Sequence, residues 1–286
     1  MSKKDQNINL IQNISSLSRE IFYRQVNASG VRQWVTNEEQ FSNQFEQLVS
    51  MFDTLTIKDV MLEYSPTLFP PNSSCLFVLP EDCQKTGKVS KEVQCFNEGF
   101  PTYIHIYQDY DISLGIWIVS PGNFLPLHDH PNMFGIIKVV QGHLEILTYN
   151  KISPLDKIRQ KVPKELIWME NSTEKANVIA TQRTMDKIID ATSPPLVLMP
   201  NKDNFHEIFN LSDQPAAFVD ILAPPYNQGE SEFAAAGDLE KRQGDYFEEI
   251  QLFASGIGSI TWLKKASERT KFKHYYEPYV GPMINF

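Results

Sequence analysis

Apolar residues recur at three-to-four spacing between Asn7 and about Val60, first at Ile8, Leu10, Ile11, Ile14 and Leu17, then at Phe41, Phe45, Leu48, Val49 and Phe52. That period belongs to amphipathic helices, here a cover for something else and not a site. Thr36-Asn37-Glu38-Glu39 supplies an N-cap-like start for the second helix, and Thr56-Ile57-Lys58-Asp59 opens a third, short one. After Pro101 the texture changes to short β-branched and aromatic runs at 103–107, 112–119, 135–140, 143–149, 178–181, 196–199 and 217–222, punctuated by turn residues. Many short strands so spaced predict a mainly β sandwich or barrel.

Between these regions Ser65, Pro66, Pro70 and Pro71 mark a loop, followed by an irregular, Lys- and Gln-containing insert at 81–98. Beyond Pro225 the chain turns acidic and small-residue rich at 229–237, then ends in a tail with Trp262 and several tyrosines. The division expected is a helical cover over 1–62 and a single β unit with its tail over 63–286. No internal repeat is apparent.

With 286 residues, 42% of them hydrophobic and 21% charged, the chain can bury a core. A net charge of −9 gives no electrostatic reason for nucleic-acid binding. No stretch approaches the roughly 18 apolar residues a membrane span needs, and the basic start MSKKDQNINL lacks a following apolar region. The expectation is a cytoplasmic protein, with the nucleus as an alternative, acting as a monomer. Cys75, Cys83 and Cys95 form an odd set without CxxC spacing, which fits reduced thiols and neither a disulfide framework nor a zinc site.

The densest chemical signal runs from Gly122 through Leu127-His128-Asp129-His130-Pro131 to Gly135 and Gly142. In an extended strand His128 and His130 point to one face and Asp129 to the other, so two imidazoles converge where a metal would sit. Pro126 and Pro131 bracket the pair. A third ligand is needed, and His206 in Asn204-Phe205-His206-Glu207 is the best candidate. His143 shares a strand face with Glu145, His105 reads as a hydrogen-bonded structural histidine, and His274 lies in the aromatic tail.

The spacing Gly122-x5-His128-x-His130-x4-Gly135-x6-Gly142 resembles the first cupin motif, and His206-x3-Asn210 resembles the end of the second. Longer stretches are similar to the cysteamine (2-aminoethanethiol) dioxygenases and plant cysteine oxidases. They are Pro101-Thr-Tyr-Ile-His-Ile-Tyr107, Leu114-Gly-Ile-Trp117, Pro126-Leu-His-Asp-His-Pro131, Gly135-Ile-Ile-Lys-Val139, Asp220-Ile-Leu-Ala-Pro-Pro-Tyr226 and the ending Glu277-Pro-Tyr-Val-Gly-Pro282. The resemblance implies a cupin double-stranded β-helix, a jelly-roll barrel with the N-terminal helices packed outside. It implies Fe(2+) on His128, His130 and His206, and a reaction that places both oxygens of O2 on sulfur. The substrate would be a small aminothiol such as cysteamine or the N-terminal cysteine of a peptide, with oxygen sensing as a possible role. Asp220 and Tyr226 map just outside the metal ligands.

Gly135 stands where many cupins carry a glutamate ligand. Three neutral imidazoles leave the double positive charge of iron(II) uncompensated, and a thiolate is a natural anion to join them. Two departures stand out. The resembled family has glycine before His206, where this chain reads Pro200-Asn-Lys-Asp-Asn-Phe205. The animal enzymes also carry a cysteine near a downstream tyrosine that can cross-link, where this chain has Gly244 in Arg242-Gln-Gly-Asp-Tyr246. The competing reading is a non-catalytic cupin acting as a binding or regulatory module.

Overall fold

The computed structural model describes residues 3–26, 28, 32–34, 38–60, 62, 100–152, 178–226, 242–250, 257–266, 272–281 and 283–286. The three cysteines, the 81–98 insert, the N-cap at Thr36-Asn37 and the acidic 229–237 stretch lie outside them. In chain order the elements are α1 (Lys3–Phe22), β1 (Arg24–Val26), β2 (Arg32–Trp34), α2 (Glu38–Asp53), β3 (Thr102–Gln108), β4 (Ser113–Val119), β5 (Phe124–Asp129) and β6 (Phe134–Gln141). There follow β7 (His143–Lys151), β8 (Val178–Asp190), β9 (Leu196–Leu198), β10 (Phe205–Phe209), β11 (Ala216–Ala223), β12 (Phe247–Ile250), β13 (Ile260–Lys265) and β14 (Tyr275–Glu277).

Two six-stranded sheets, ordered β12-β13-β8-β7-β10-β5 and β14-β3-β4-β11-β6-β9, make the jelly roll of a cupin. Between them lies a core of Val119, Ile137, Val139, Leu198 and Phe218 from one sheet against Leu125, Leu144, Ile146 and Ile208 from the other. At β6 this second sheet is buried on both faces, which is why 135–140 reads as a nearly continuous apolar run. Its outer face, with Ile116, Ile118, Ile136 and Ile221, packs under Ile11, Ile14 and Ile21 of α1 and Leu48 and Phe52 of α2. Each such side chain contributes roughly 1.5–3 kcal/mol of burial. Lys138 leaves this face to pair with Asp53 of α2 at 3.2 Å, tying cover to sheet.

The N-terminal pattern hid two departures from helix. After Phe22 the chain pairs β1 with β2 antiparallel, because Arg24 is drawn into a buried ion pair with Asp111 at 3.1 Å. At Thr56 there is a turn in place of a third helix: the Asp59 carboxylate accepts both the Thr56 N–H at 2.8 Å and its hydroxyl at 2.6 Å. Strand β8 runs far past the expected 178–181, and β12, β13 and β14 lie in what read as tail. No helix among the described residues is long and apolar enough to cross a membrane.

Candidate metal centre

His128 on β5 and His206 on β10 are direct partners across an antiparallel pair. Ile208 pairs with Leu125, so a step of two residues on β10 is matched by a step of three on β5. The extra residue is a bulge at Pro126-Leu127, and it turns both Leu125 and His128 inward where strict alternation would part them. The local geometry thus differs from a plain extended His-x-His strand. β5 ends at Asp129, and His130 opens a tight turn closed by the Met133 N–H donating to its carbonyl at 3.2 Å.

The three imidazoles nevertheless converge. Ring centroids stand 4.9 Å apart for His128–His130, 4.4 Å for His128–His206 and 4.9 Å for His130–His206. One nitrogen from each lies within 4.8 Å of the others, a group able to hold a metal ion, with His130 and His206 buried and His128 partly so. His143 and His105 are exposed and belong to no such group; His274 is half-buried among Tyr103, Trp117, Phe272 and Tyr276.

Hydrogen bonding settles two tautomers. A carbonyl only accepts, so the His128 Nδ1 that lies 2.7 Å from the Pro126 carbonyl carries its proton and Nε2 keeps a lone pair. Tyr226 has one hydroxyl hydrogen, which it donates to the Asp129 carbonyl at 2.8 Å. Its oxygen then accepts from His130 Nδ1 at 2.6 Å, so His130 also presents a bare Nε2. His206 Nδ1 is buried without a hydrogen-bond partner. Burial pushes the His128 imidazole down to about 4. Burial, then the neighbouring imidazoles, holds His130 and His206 well below the ordinary histidine value. All three are therefore neutral donors at physiological pH, which is the form that ligates.

Among the described residues no acid joins the group. At Gly135 an added Cβ would meet Leu198 Cδ1 at 3.0 Å and Leu222 Cδ2 at 3.3 Å, so leucines occupy the room a carboxylate ligand would use. Asp129 points elsewhere, accepting the Asp245 N–H at 2.7 Å, with its carboxyl pushed up to about 6 by burial. Asp220 sits on β11 opposite Gly115 and Ile137, with a buried Oδ1 that has no partner. Burial raises its carboxyl to about 7. Its charge reaches the Tyr226 and Tyr103 phenols, both raised first by burial.

The loop before His206 has a definite shape. Met199 and Lys202 exchange backbone hydrogen bonds at 2.9 and 3.1 Å, and Asp203 takes a left-handed φ of 55°. Its carboxylate accepts from Thr148 at 3.0 Å and from Thr184 at 2.5 Å, so Asp203 fills a position that otherwise favours glycine. In the sequence, segment 242–246 stands out only for Gly244 in place of a cross-linking cysteine. Arg242 donates to the Pro225 carbonyl at 3.1 Å, Tyr246 bridges to His128, and its ring stands 6.1 Å from that imidazole.

Gly244 brings this backbone against Tyr226: an added Cβ would lie 2.8 Å from Tyr226 Cε1 and 2.9 Å from the Asp129 carbonyl. Gly244→Ala is expected to push the phenol off His130 and to lower stability by about 1–3 kcal/mol. Thermal melts check this, and an unchanged midpoint would show that the backbone has room to spare.

Residues 51–284 match the PCO_ADO family model. The chain belongs to the PCO_ADO family. Among its relatives, the 2-aminoethanethiol dioxygenase of Mus musculus is 31% identical over 196 residues, spanning 64% of this chain and 71% of that one. The Homo sapiens 2-aminoethanethiol dioxygenase is 30% identical over 195 residues, spanning 64% and 68%. Plant cysteine oxidase 1 of Arabidopsis thaliana is 24% identical over 204 residues, spanning 67% and 57%. The PCO_ADO match begins inside α2 and takes in the three histidines, Asp220, Tyr226 and the 242–246 segment.

Proposed function

We propose that this protein is an iron(II) thiol dioxygenase that converts an aminothiol, either cysteamine or the N-terminal cysteine of a peptide, to its sulfinic acid. The observation that carries the reading is the all-imidazole donor set: three neutral histidines and no carboxylate among them. Iron(II) held by His128, His130 and His206 would supply the positive charge that favours a thiolate and the redox partner that O2 requires. The reaction balances without a further reductant. A thiol and O2 give one sulfinic acid, sulfur losing the four electrons that the two oxygen atoms take up.

The chain's own groups then have distinct tasks. Tyr226 holds His130 by its Nδ1 and hands its own hydrogen to the Asp129 carbonyl, so it orients a ligand. Asp220, with a free carboxylate oxygen in electrostatic reach of Tyr226, is the group to receive the substrate's ammonium. Ammonium beside a carboxylate that titrates about neutrality favours the ionised acid.

The test is incubation of iron-loaded protein with cysteamine, free cysteine and a Cys-initiated peptide side by side, followed by mass spectrometry. A product heavier by two oxygen atoms is expected from cysteamine, the peptide or both. Absence of thiol-dependent O2 uptake with all three would leave the protein a non-catalytic cupin. If the peptide is the substrate, O2 consumption at a target's N-terminus suits oxygen sensing, and saturation far below physiological oxygen would count against that role.

A further inference from the structure

No motif singles out Asn204, yet its side chain is among the best-connected polar groups in the molecule. It is 5% exposed. Its Oδ1 accepts the backbone N–H of His130 at 2.9 Å, and its Nδ2 donates to the carbonyl of His130 at 2.7 Å. The same nitrogen reaches the Met199 carbonyl at 3.1 Å and, at the long distance of 3.4 Å, that of Met133.

The strand register shows what this arrangement replaces. The β5–β10 ladder ends at the pair Asp129–Phe205, and the next pair in the same register would be His130 with Asn204. There the two backbones part, one into Pro131 and the turn to Met133, the other into the left-handed Asp203. A buried His130 would be left with its N–H unpaired at the end of the sheet and its carbonyl held only by the Met133 N–H at 3.2 Å, a costly state for the backbone donor. Toward His130 the Asn204 amide offers one acceptor and one donor in a plane, as a strand partner's backbone would, and extends the ladder by one residue.

We infer that Asn204 is a positioning residue for the metal centre, its side-chain amide locking His130 onto the strand that carries His206. Two of the three imidazoles then share one rigid frame: His206 follows Asn204 by two positions, and His130 is clamped to it at both backbone groups. The Met199 contact anchors the frame to the loop after β9. The inference rests on the metal reading proposed above.

The test is cobalt(II) titration of the full-length chain as wild type, Asn204→Ala, Asn204→Asp and the loop control Asn201→Ala, read by affinity and visible absorption. Asn201 is exposed and outside the clamp. Both Asn204 variants are expected to bind cobalt about 10–100-fold more weakly, as losses of ligand-orienting partners do, with a changed spectrum. Asn201→Ala should match wild type. Aspartate keeps the volume and the acceptor but turns a carboxylate toward the three carbonyls, so it decides the question should the alanine variant fail to fold. Wild-type affinity and spectrum in a folded Asn204 variant would overturn the assignment alone. A wild-type chain that takes up no cobalt would overturn the metal reading, and this inference with it.

Discussion

Replacing His206 with alanine is expected to strip the protein of bound iron and to abolish thiol-dependent oxygen uptake. The three ring nitrogens lie within 4.8 Å of one another, and the His206 ring is the nearest neighbour of His128 at 4.4 Å. With His206 gone, two histidine donors remain, and neither Asp129 nor position 135 can take its place. Asp129 is committed to the Asp245 backbone, and a ligand at position 135 is blocked by Leu198 and Leu222. The loss should exceed the ~10–100-fold that removal of an outer partner causes. Iron content after desalting checks this, with His143→Ala, exposed and outside the cluster, expected to retain metal. Full iron in the His206 variant would end the assignment of the third ligand.

Asp220→Asn is expected to stabilise the protein above neutral pH while impairing turnover. Burial raises the folded carboxyl from the ordinary 3.8 to about 7, so the native state favours the protonated acid. Below pH 3.8 both folded and unfolded chains hold the proton, and nothing is lost. As pH rises from there toward about 7 the unfolded chain ionises first, and stability drains away until the folded carboxyl ionises too. The amide cannot ionise, so the variant escapes this loss. Its advantage should grow from acid to about neutral pH and then level off, by an amount on the order of 2–4 kcal/mol. Turnover should fall because the amide offers no charge to an ammonium group, chiefly through a raised KM. Melting curves of both proteins between about pH 5 and pH 8 read the stability difference directly. A pH-independent difference would mean that Asp220 is ionised throughout and the buried Oδ1 is better solvated than the structure places it.

Much of the architecture was legible because burial writes a period into the chain. The expected runs at 103–107, 135–140, 143–149 and 217–222 became β3, β6, β7 and β11 with small changes at their ends. The helices α1 and α2 showed their apolar stripe equally well, since each packs one face on the sheet. Strands β12 and β14 were missed for the opposite reason. β14 is exposed at all three positions, and β12 buries one of its four residues, so neither carries a period to read.

The candidate site divides in the same way. His128 and His130 were found by local spacing, and His206 by motif end and elimination. Asn204 gave no local sign, and segment 242–246 showed only Gly244 in place of a cysteine, because what these residues do depends on chain brought in from elsewhere, 17 positions away for Arg242 and 74 for Asn204. The departure from glycine before His206 was visible as a departure but not as a solution. Only Thr148 and Thr184, brought alongside by β7 and β8, show how an aspartate is held in the left-handed region.

By itself, then, the order of residues determined a mainly β chain under two helices, a paired histidine motif and the absence of a glutamate at Gly135. The tertiary structure decided that a bulge at Pro126-Leu127 turns His128 inward, that His130 lies beyond the strand in an Asn204 clamp, and that Tyr226 hangs on its Nδ1. The physical reason is range. Side-chain alternation and amphipathic period are set by neighbours along the chain, whereas register, bulges and hydrogen-bond partners across strands are set by which segments the buried core forces together.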